Sequence, residues 1–183
     1  GYTILVDHWQ SHGKHDENKS RELLSQADII FCEWCLKNAV WYSHNKSPHQ
    51  KMFIRFHRQE IETDYPAQVN YKAIDSMSFI VPHIQRKVIS KFSLEKYQDK
   101  FIYIPNYVDT NEFNQPKIED ARFNLGIVGI VPKMKRFDRA LDILEELRKK
   151  DKRYQLFVKG KQAKEYPWMN QRSDEMEYYK VQE

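Results

Sequence analysis

Short apolar runs alternate with amphipathic stretches along most of the chain. Tyr2 to Val6, Asp28 to Cys32, Met52 to Phe56, Met77 to Val81 and Phe101 to Ile104 read as strands, each four to five residues long. Between them, Glu17 to Ala27, Leu36 to Ser43, Ala67 to Ile74 and Ile84 to Phe92 carry apolar residues at helical spacing. Strands alternating with helices predict an α/β protein with parallel sheets. No repeat and no low-complexity segment interrupts the pattern.

The clearest unit runs from Asn124 to Lys161. Leu125 to Ile130 is a short apolar run with two glycines, long enough for one buried strand. A turn follows with Pro132, Lys133, Lys135 and Arg136. Phe137, Leu141, Leu144 and Leu147 then mark one face of a helix, and Tyr154 to Val158 forms the next strand, closed by Gly160. A strand, a cationic turn and a helix N-terminus suit a phosphate, because helix N–H groups and lysines both favour an anion. Gly126 and Gly129 lack the third glycine of the dinucleotide fingerprint. The unit taken alone is also compatible with an ordinary βαβ fold and a solvated basic turn.

Ile102 to Phe113 reads IYIPNYVDTNEF. It resembles the I-P-N-G-V-D-T-x-x-F segment that joins the two lobes of retaining GT-B glycosyltransferases, the large family of sucrose synthases and bacterial mannosyltransferases. In that family a strand, G-R-L-x-x-x-K-G, a helix and a strand ending in G-x-G come next. Here GIVPKMKRFDRAL and YQLFVKGK follow in the same order. The resemblance covers about Asp28 to Lys161. It implies Rossmann-like parallel sheets in a two-lobed enzyme with the donor in a cleft. Residues 1–109 would be the later part of the acceptor-side lobe, 110–120 the linker with a boundary near Pro116 to Glu119, and 121–183 the start of the donor lobe. Two departures stand out. Ile130 occupies the place of the family arginine that holds the donor diphosphate, and Arg136 follows Lys135 in place of glycine. Arg136 or Lys133 supplies the missing charge, or the grip is weaker; the sequence leaves these open.

At 183 residues the chain is about half of a two-lobed enzyme of this kind. Neither a glycine-rich N-terminal loop nor the family's closing glutamate pair is recognisable, so an internal segment or truncated product of a larger enzyme is expected. Glu175 and Glu183 have the right spacing for that pair but lack its glycine-rich turn, and are read as coincidence. The net charge of +4 is spread among 26 acidic residues, which argues against a nucleic-acid partner. No apolar run reaches the roughly 18 residues of a membrane span, and no signal peptide is visible. Two cysteines make no disulfide framework, so the expected location is the cytoplasm, or the inner face of the membrane as a peripheral protein.

Several residues are candidates for chemistry. His57 follows a strand, where ligands bind in α/β sheets. The resemblance places a histidine there near the donor sugar, with Arg58 and Glu60 as supporting groups or a solvated pair. His83, also after a strand, is a second cleft-facing candidate. Lys135, with Arg136, Lys133 and Gly129, is the expected diphosphate site. Cys32-Glu-Trp-Cys35 after a strand fits a redox motif, with structural cysteines the favoured state. Zinc would need four ligands, and the spacing of His44 and His49 matches no standard pattern. His8, His12 and His15, with Asp7 and Asp16, share one loop, read as solvated or acceptor-facing rather than metal-binding. A further helix is expected from Ser173, with its hydroxyl as cap.

The expected parent activity is transfer of a sugar from a nucleotide-sugar donor to a hydroxyl acceptor (a sugar, a lipid-linked sugar or a protein) with retention. No cofactor or metal is expected, since cations would hold the diphosphate. Bacterial surface polysaccharide or glycoconjugate synthesis is the setting that the family suggests, and the segment alone would be inactive. The alternatives are a noncatalytic α/β binding module and a thioredoxin-like protein.

Overall fold

A computed structural model describes residues 1–181. The chain is α/β, with a four-stranded parallel sheet and a two-stranded parallel sheet, compatible with a Rossmann-like fold. It divides into two compact units, Gly1–Val108 and a second that begins at Asp109.

In the first unit, α1 (Glu17–Gln26), β1 (Ile29–Cys32), α2 (Lys37–Asn45), β2 (Lys51–Phe56), α3 (Tyr65–Gln68), β3 (Ser76–Phe79), α4 (Pro82–Phe92) and β4 (Phe101–Tyr103) follow in order. The sheet order is β1-β2-β3-β4. Right-handed crossovers in that unbroken order put the connecting helices on one face of the sheet. The burial follows. Cys32, Ile54, Met77 and Phe101 lie in register across the four strands and are all buried. With Met52, Phe56 and Phe79 they form the core, and Val88 of α4 packs among them. On the opposite face Ile29 and Phe31 stand 53% and 61% exposed. The short apolar runs therefore located the four strands of this sheet, although only one face of it is buried.

Local chemistry sets the element ends. Asp16 caps α1, accepting from the Lys19 N–H at 3.1 Å. Gln50, buried, donates to the Leu24 and Ala27 carbonyls at 2.6 Å and satisfies the end of that helix. Pro82 opens α4, where a missing N–H costs nothing.

Three expectations fail. Tyr2 to Val6 is not a strand; it makes no ladder, and Tyr2 and Ile4 are largely exposed. The helix expected over Ala67 to Ile74 is only α3, which begins at Tyr65 with Pro66 in its first turn. It stops at Val69 because the Asn70 N–H turns to the Ser43 hydroxyl at 3.0 Å. Ser173 is the first helical residue of α7 (Ser173–Lys180), not its cap; Arg172 holds that position with no side-chain bond.

The second unit contains α5 (Thr110–Phe113), β5 (Asn124–Val128), α6 (Phe137–Lys150), β6 (Gln155–Lys159) and α7. β5 and β6 pair in parallel from Asn124↔Gln155 to Val128↔Lys159. This is the expected βαβ unit, but its first strand ends at Val128 rather than Ile130 and has no buried residue. Its α6 carries the apolar stripe Phe137, Leu141, Leu144 and Leu147, each half-buried. A small core of Ala163, Met169 and Tyr179 lies under α7.

Candidate functional site

Parallel pairing of β1 and β2 brings two strand ends side by side, so residues 33–36 and 57–60 become neighbours. Glu60 joins them. Its side chain is buried, and its two carboxylate oxygens accept from the Cys35 and His57 N–H groups, each at 2.9 Å. Burial pushes this carboxyl up to about 7, against the downward pull of the two N–H donors. Glu60 thus fixes two loops rather than pairing with Arg58, which is exposed.

His57 lies at the end of β2 with its ring stacked on Trp34, centroids 4.0 Å apart and planes within 19°. Its Nε2 is 2.9 Å from the Glu33 carbonyl oxygen, so that nitrogen carries the proton. Arg55, on the same strand end, donates to Glu33 at 3.1 Å and to the Asn106 side-chain oxygen at 2.7 Å. Asn106 belongs to the IPNYVDT segment, so that segment is tied to the strand ends beside His57. His83 is exposed in the first turn of α4 and joins none of these contacts.

A third loop adds to this edge. Asp7 accepts from the Trp9 indole at 2.8 Å, the Ser20 hydroxyl at 2.6 Å and the Tyr42 hydroxyl at 2.7 Å. Burial works to raise the Asp7 carboxyl, and the three donors outweigh it and hold it below its usual value. His15 bonds Ser20 at 2.7 Å and stacks on Trp9 at 3.7 Å. Asp7, Trp9 and His15 of the histidine-rich loop are therefore tied into the fold, while His8 and His12 are exposed to solvent. No cluster of three or more His, Cys, Asp or Glu that could hold a metal occurs among the described residues. The loop's Trp9 and His12, with Trp34, Asn38, Gln59 and Glu60, line a cavity of about 400 Å³.

Cys32 and Cys35 are free and buried. Burial pushes the Cys32 thiol up to about 12 and that of Cys35 well above its usual value. Reactive thiols need the opposite shift and solvent access.

In the second unit the predicted anion residues sit where β5 and β6 end. Gly129 (φ +70°) donates its N–H to the Lys159 carbonyl at 2.7 Å. A Cβ on Gly160 would lie 3.3 Å from the Gly129 Cα, so the backbones approach closely there. Lys133–Lys135 forms a 3-10 turn leading into α6. Ile130 is buried, and its carbonyl accepts from the Tyr179 hydroxyl at 2.7 Å.

The cations of this turn are not equivalent. Arg136 forms a forked ion pair with Asp138, as close as 2.6 Å, which depresses the Asp138 carboxyl strongly. The Lys133 ammonium lies 5.1 Å over the Tyr178 ring, and its N–H donates to Glu175 at 2.9 Å. Lys135 is exposed and makes no ion pair among the described residues. Of the proposed clamp, Arg136 and Lys133 are thus already engaged, and Lys135 presents its charge to solvent. Glu175 contacts this turn, while Glu183 lies outside the described residues.

Sequence reasoning missed Trp34, Arg55 and Asn106, and noted Asp7 without its role as an acceptor of three hydrogen bonds. The signal for Arg55 was its charge inside an otherwise apolar strand. The others depend on long-range contacts that periodicity does not carry. Comparison with protein-family models, with curated proteins and with solved structures returned no match.

Proposed function

We propose that this chain is part of a retaining glycosyltransferase that moves a sugar from a nucleotide-sugar donor to a hydroxyl acceptor. The observation that carries the reading is the tie between Asn106 and Arg55. The segment resembling the family's interlobe linker is anchored at the strand ends that hold His57. The βαβ unit that follows carries a cationic turn with Lys135 exposed at the start of α6.

In this reading residues 1–109 contribute the acceptor side and residues 121–183 the donor side. The anomeric C–O bond to the diphosphate breaks as the bond to the acceptor oxygen forms, and the acceptor's hydroxyl proton passes to the departing diphosphate oxygen. The leaving nucleoside diphosphate gathers negative charge, and the Lys135 ammonium stabilises it. His57, oriented by the Glu33 carbonyl, contacts the sugar. No metal is needed where protein cations do this work. Synthesis of surface polysaccharide or glycoconjugate in the cytoplasm, or at the inner face of the membrane, fits that chemistry. No helix among the described residues is long and apolar enough to cross a membrane.

Calorimetric titration with UDP and with GDP tests the reading. One of them binds, and Lys135→Ala weakens it by roughly 10- to 100-fold, the scale of one charge-assisted contact. Binding of neither nucleotide, or equal affinity in the variant, overturns the donor assignment.

A further inference from the structure

The cavity at the ends of β1 and β2 has a composition that defines its ligand. Two indoles line it, Trp9 and Trp34. Each is backed by a histidine ring, Trp9 by His15 at 3.7 Å and Trp34 by His57 at 4.0 Å. Such rings are held in place before any ligand arrives, which lowers the ordering cost of binding. The polar lining consists of Ser11, His12, Asn38, Gln59, Glu60 and Thr63. It contains no lysine or arginine, so nothing there favours a phosphate or carboxylate. At about 400 Å³ it falls in the range of small-molecule sites.

Asn38 adds a separate observation. It stands in the first turn of α2 and lines this cavity. Its Oδ1 is buried and has no hydrogen-bond partner among the described residues. A buried amide oxygen is seldom left unpaired. Asn38 also borders a neighbouring cavity lined by Asp7 and Tyr42, and the soft χ2 torsion of an asparagine lets the amide rotate to meet a donor. Glu60 has both oxygens on backbone N–H groups, yet each carboxylate oxygen keeps a lone pair for a second donor. The site therefore offers aromatic faces, acceptors for hydroxyl groups and no cation.

We propose that this cavity is a saccharide subsite, in which a neutral sugar ring lies against Trp34 and Trp9 and donates a hydroxyl to Asn38. A pyranose has an apolar C–H face and peripheral hydroxyls, which match the two kinds of lining. Taken with the glycosyltransferase reading, on which this last step rests, the acceptor is a carbohydrate and not a protein side chain.

The test is saturation-transfer difference NMR on the full chain with methyl glycosides of glucose, galactose, mannose and N-acetylglucosamine, each alone. Transfer to the ring C–H protons of at least one is expected. Asn38→Leu weakens that binding roughly tenfold or more while leaving the unfolding midpoint unchanged or raised, because the lost oxygen had no partner in the protein. Trp34→Ala abolishes it. Absence of transfer from every glycoside, or preferential binding of uridine or guanosine in this cavity, overturns the proposal. So does an Asn38→Leu variant with unaltered sugar affinity. The wild-type measurement stands even if a variant fails to fold. Sugar binding without nucleotide binding keeps this inference and removes the transferase reading; nucleotide binding without sugar binding does the reverse.

Discussion

The two units use different means to place chemically useful groups. In the first, position comes from burial. Met52, Met77 and Phe79 have no exposed surface, and the loops above them are joined by a buried carboxylate, Glu60. In the second, α6 has no buried residue, and the basic turn is held by exposed contacts such as Arg136 with Asp138. Buried polar contacts act in low dielectric and tolerate little displacement, whereas exposed ones exchange readily with water. The first unit is built to hold a geometry. The second presents charge on a lightly packed βαβ unit.

Core truncation should separate the units most sharply. Phe79→Ala in the first sheet is expected to cost about 3–5 kcal/mol, the usual scale for a fully buried aromatic. Leu144→Ala on α6 removes a half-buried side chain and should cost about 1 kcal/mol or less. Urea unfolding of each variant measures both. Equal losses would erase the contrast.

Glu60 comes next. Glu60→Ala strands two buried N–H groups, those of Cys35 and His57, at an expected cost of about 2–4 kcal/mol. The carboxyl also gives a pH signature. Its folded value, about 7, lies above the ordinary 4.5, so the folded state keeps a proton that the unfolded state has released. Stability from this group is complete below pH 4.5 and is lost as pH rises through about 7. Denaturant midpoints measured from pH 4 to 8 should fall over that window in the wild type and flatten in Glu60→Gln. A midpoint that rises over the same window in the wild type would show that the two N–H donors outweigh desolvation.

His57 links this scaffold to turnover. Under the proposed function, His57→Ala in the full-length parent enzyme should lower kcat by roughly 100-fold while nucleotide affinity stays within about twofold. The diphosphate is assigned to the basic turn and the histidine to the sugar. Steady-state transfer and calorimetry on one variant report the two quantities separately. A matched fall in both would mean that His57 acts through folding.

The sequence made the strands legible where one face is buried. Ile30 and Cys32, Met52, Ile54 and Phe56, and Met77 and Phe79 are buried and alternate with exposed or half-exposed neighbours. The apolar runs reveal the strands, but apolar Ile29 and Phe31 hide which face is buried. Tyr2 to Val6 has the same apolar content but no partner strand, and pairing is not written in a single segment. The site was legible only in part. His57 follows a strand, and a simple rule about strand ends points to it. The role of Glu60 depends on a bond to Cys35, 25 residues away, and that of Asp7 on Tyr42, 35 residues away. Arg136 looked like a free cation because its partner, Asp138, reads equally well as a residue of the first helical turn.

That last point yields the smallest expected effect. Arg136 and Lys135 are adjacent and carry the same charge, so sequence treats them as interchangeable clamps. The structure distinguishes them: the Arg136 guanidinium is spent on both oxygens of Asp138, while Lys135 is exposed and makes no ion pair among the described residues. A charge already neutralised by a fork-like partner adds little to the field felt by an incoming anion. Removing the pair as a whole, in Arg136→Ala/Asp138→Ala, should therefore change UDP or GDP affinity by no more than about twofold, against the much larger loss expected for Lys135→Ala. Asp138→Asn provides the complementary arm. It releases the guanidinium, and nucleotide affinity should then rise, with the gain abolished in the double variant Asp138→Asn/Arg136→Ala. If Arg136→Ala/Asp138→Ala weakens binding as much as Lys135→Ala does, the ion pair opens when the nucleotide binds, and the basic turn works as a pair of cations.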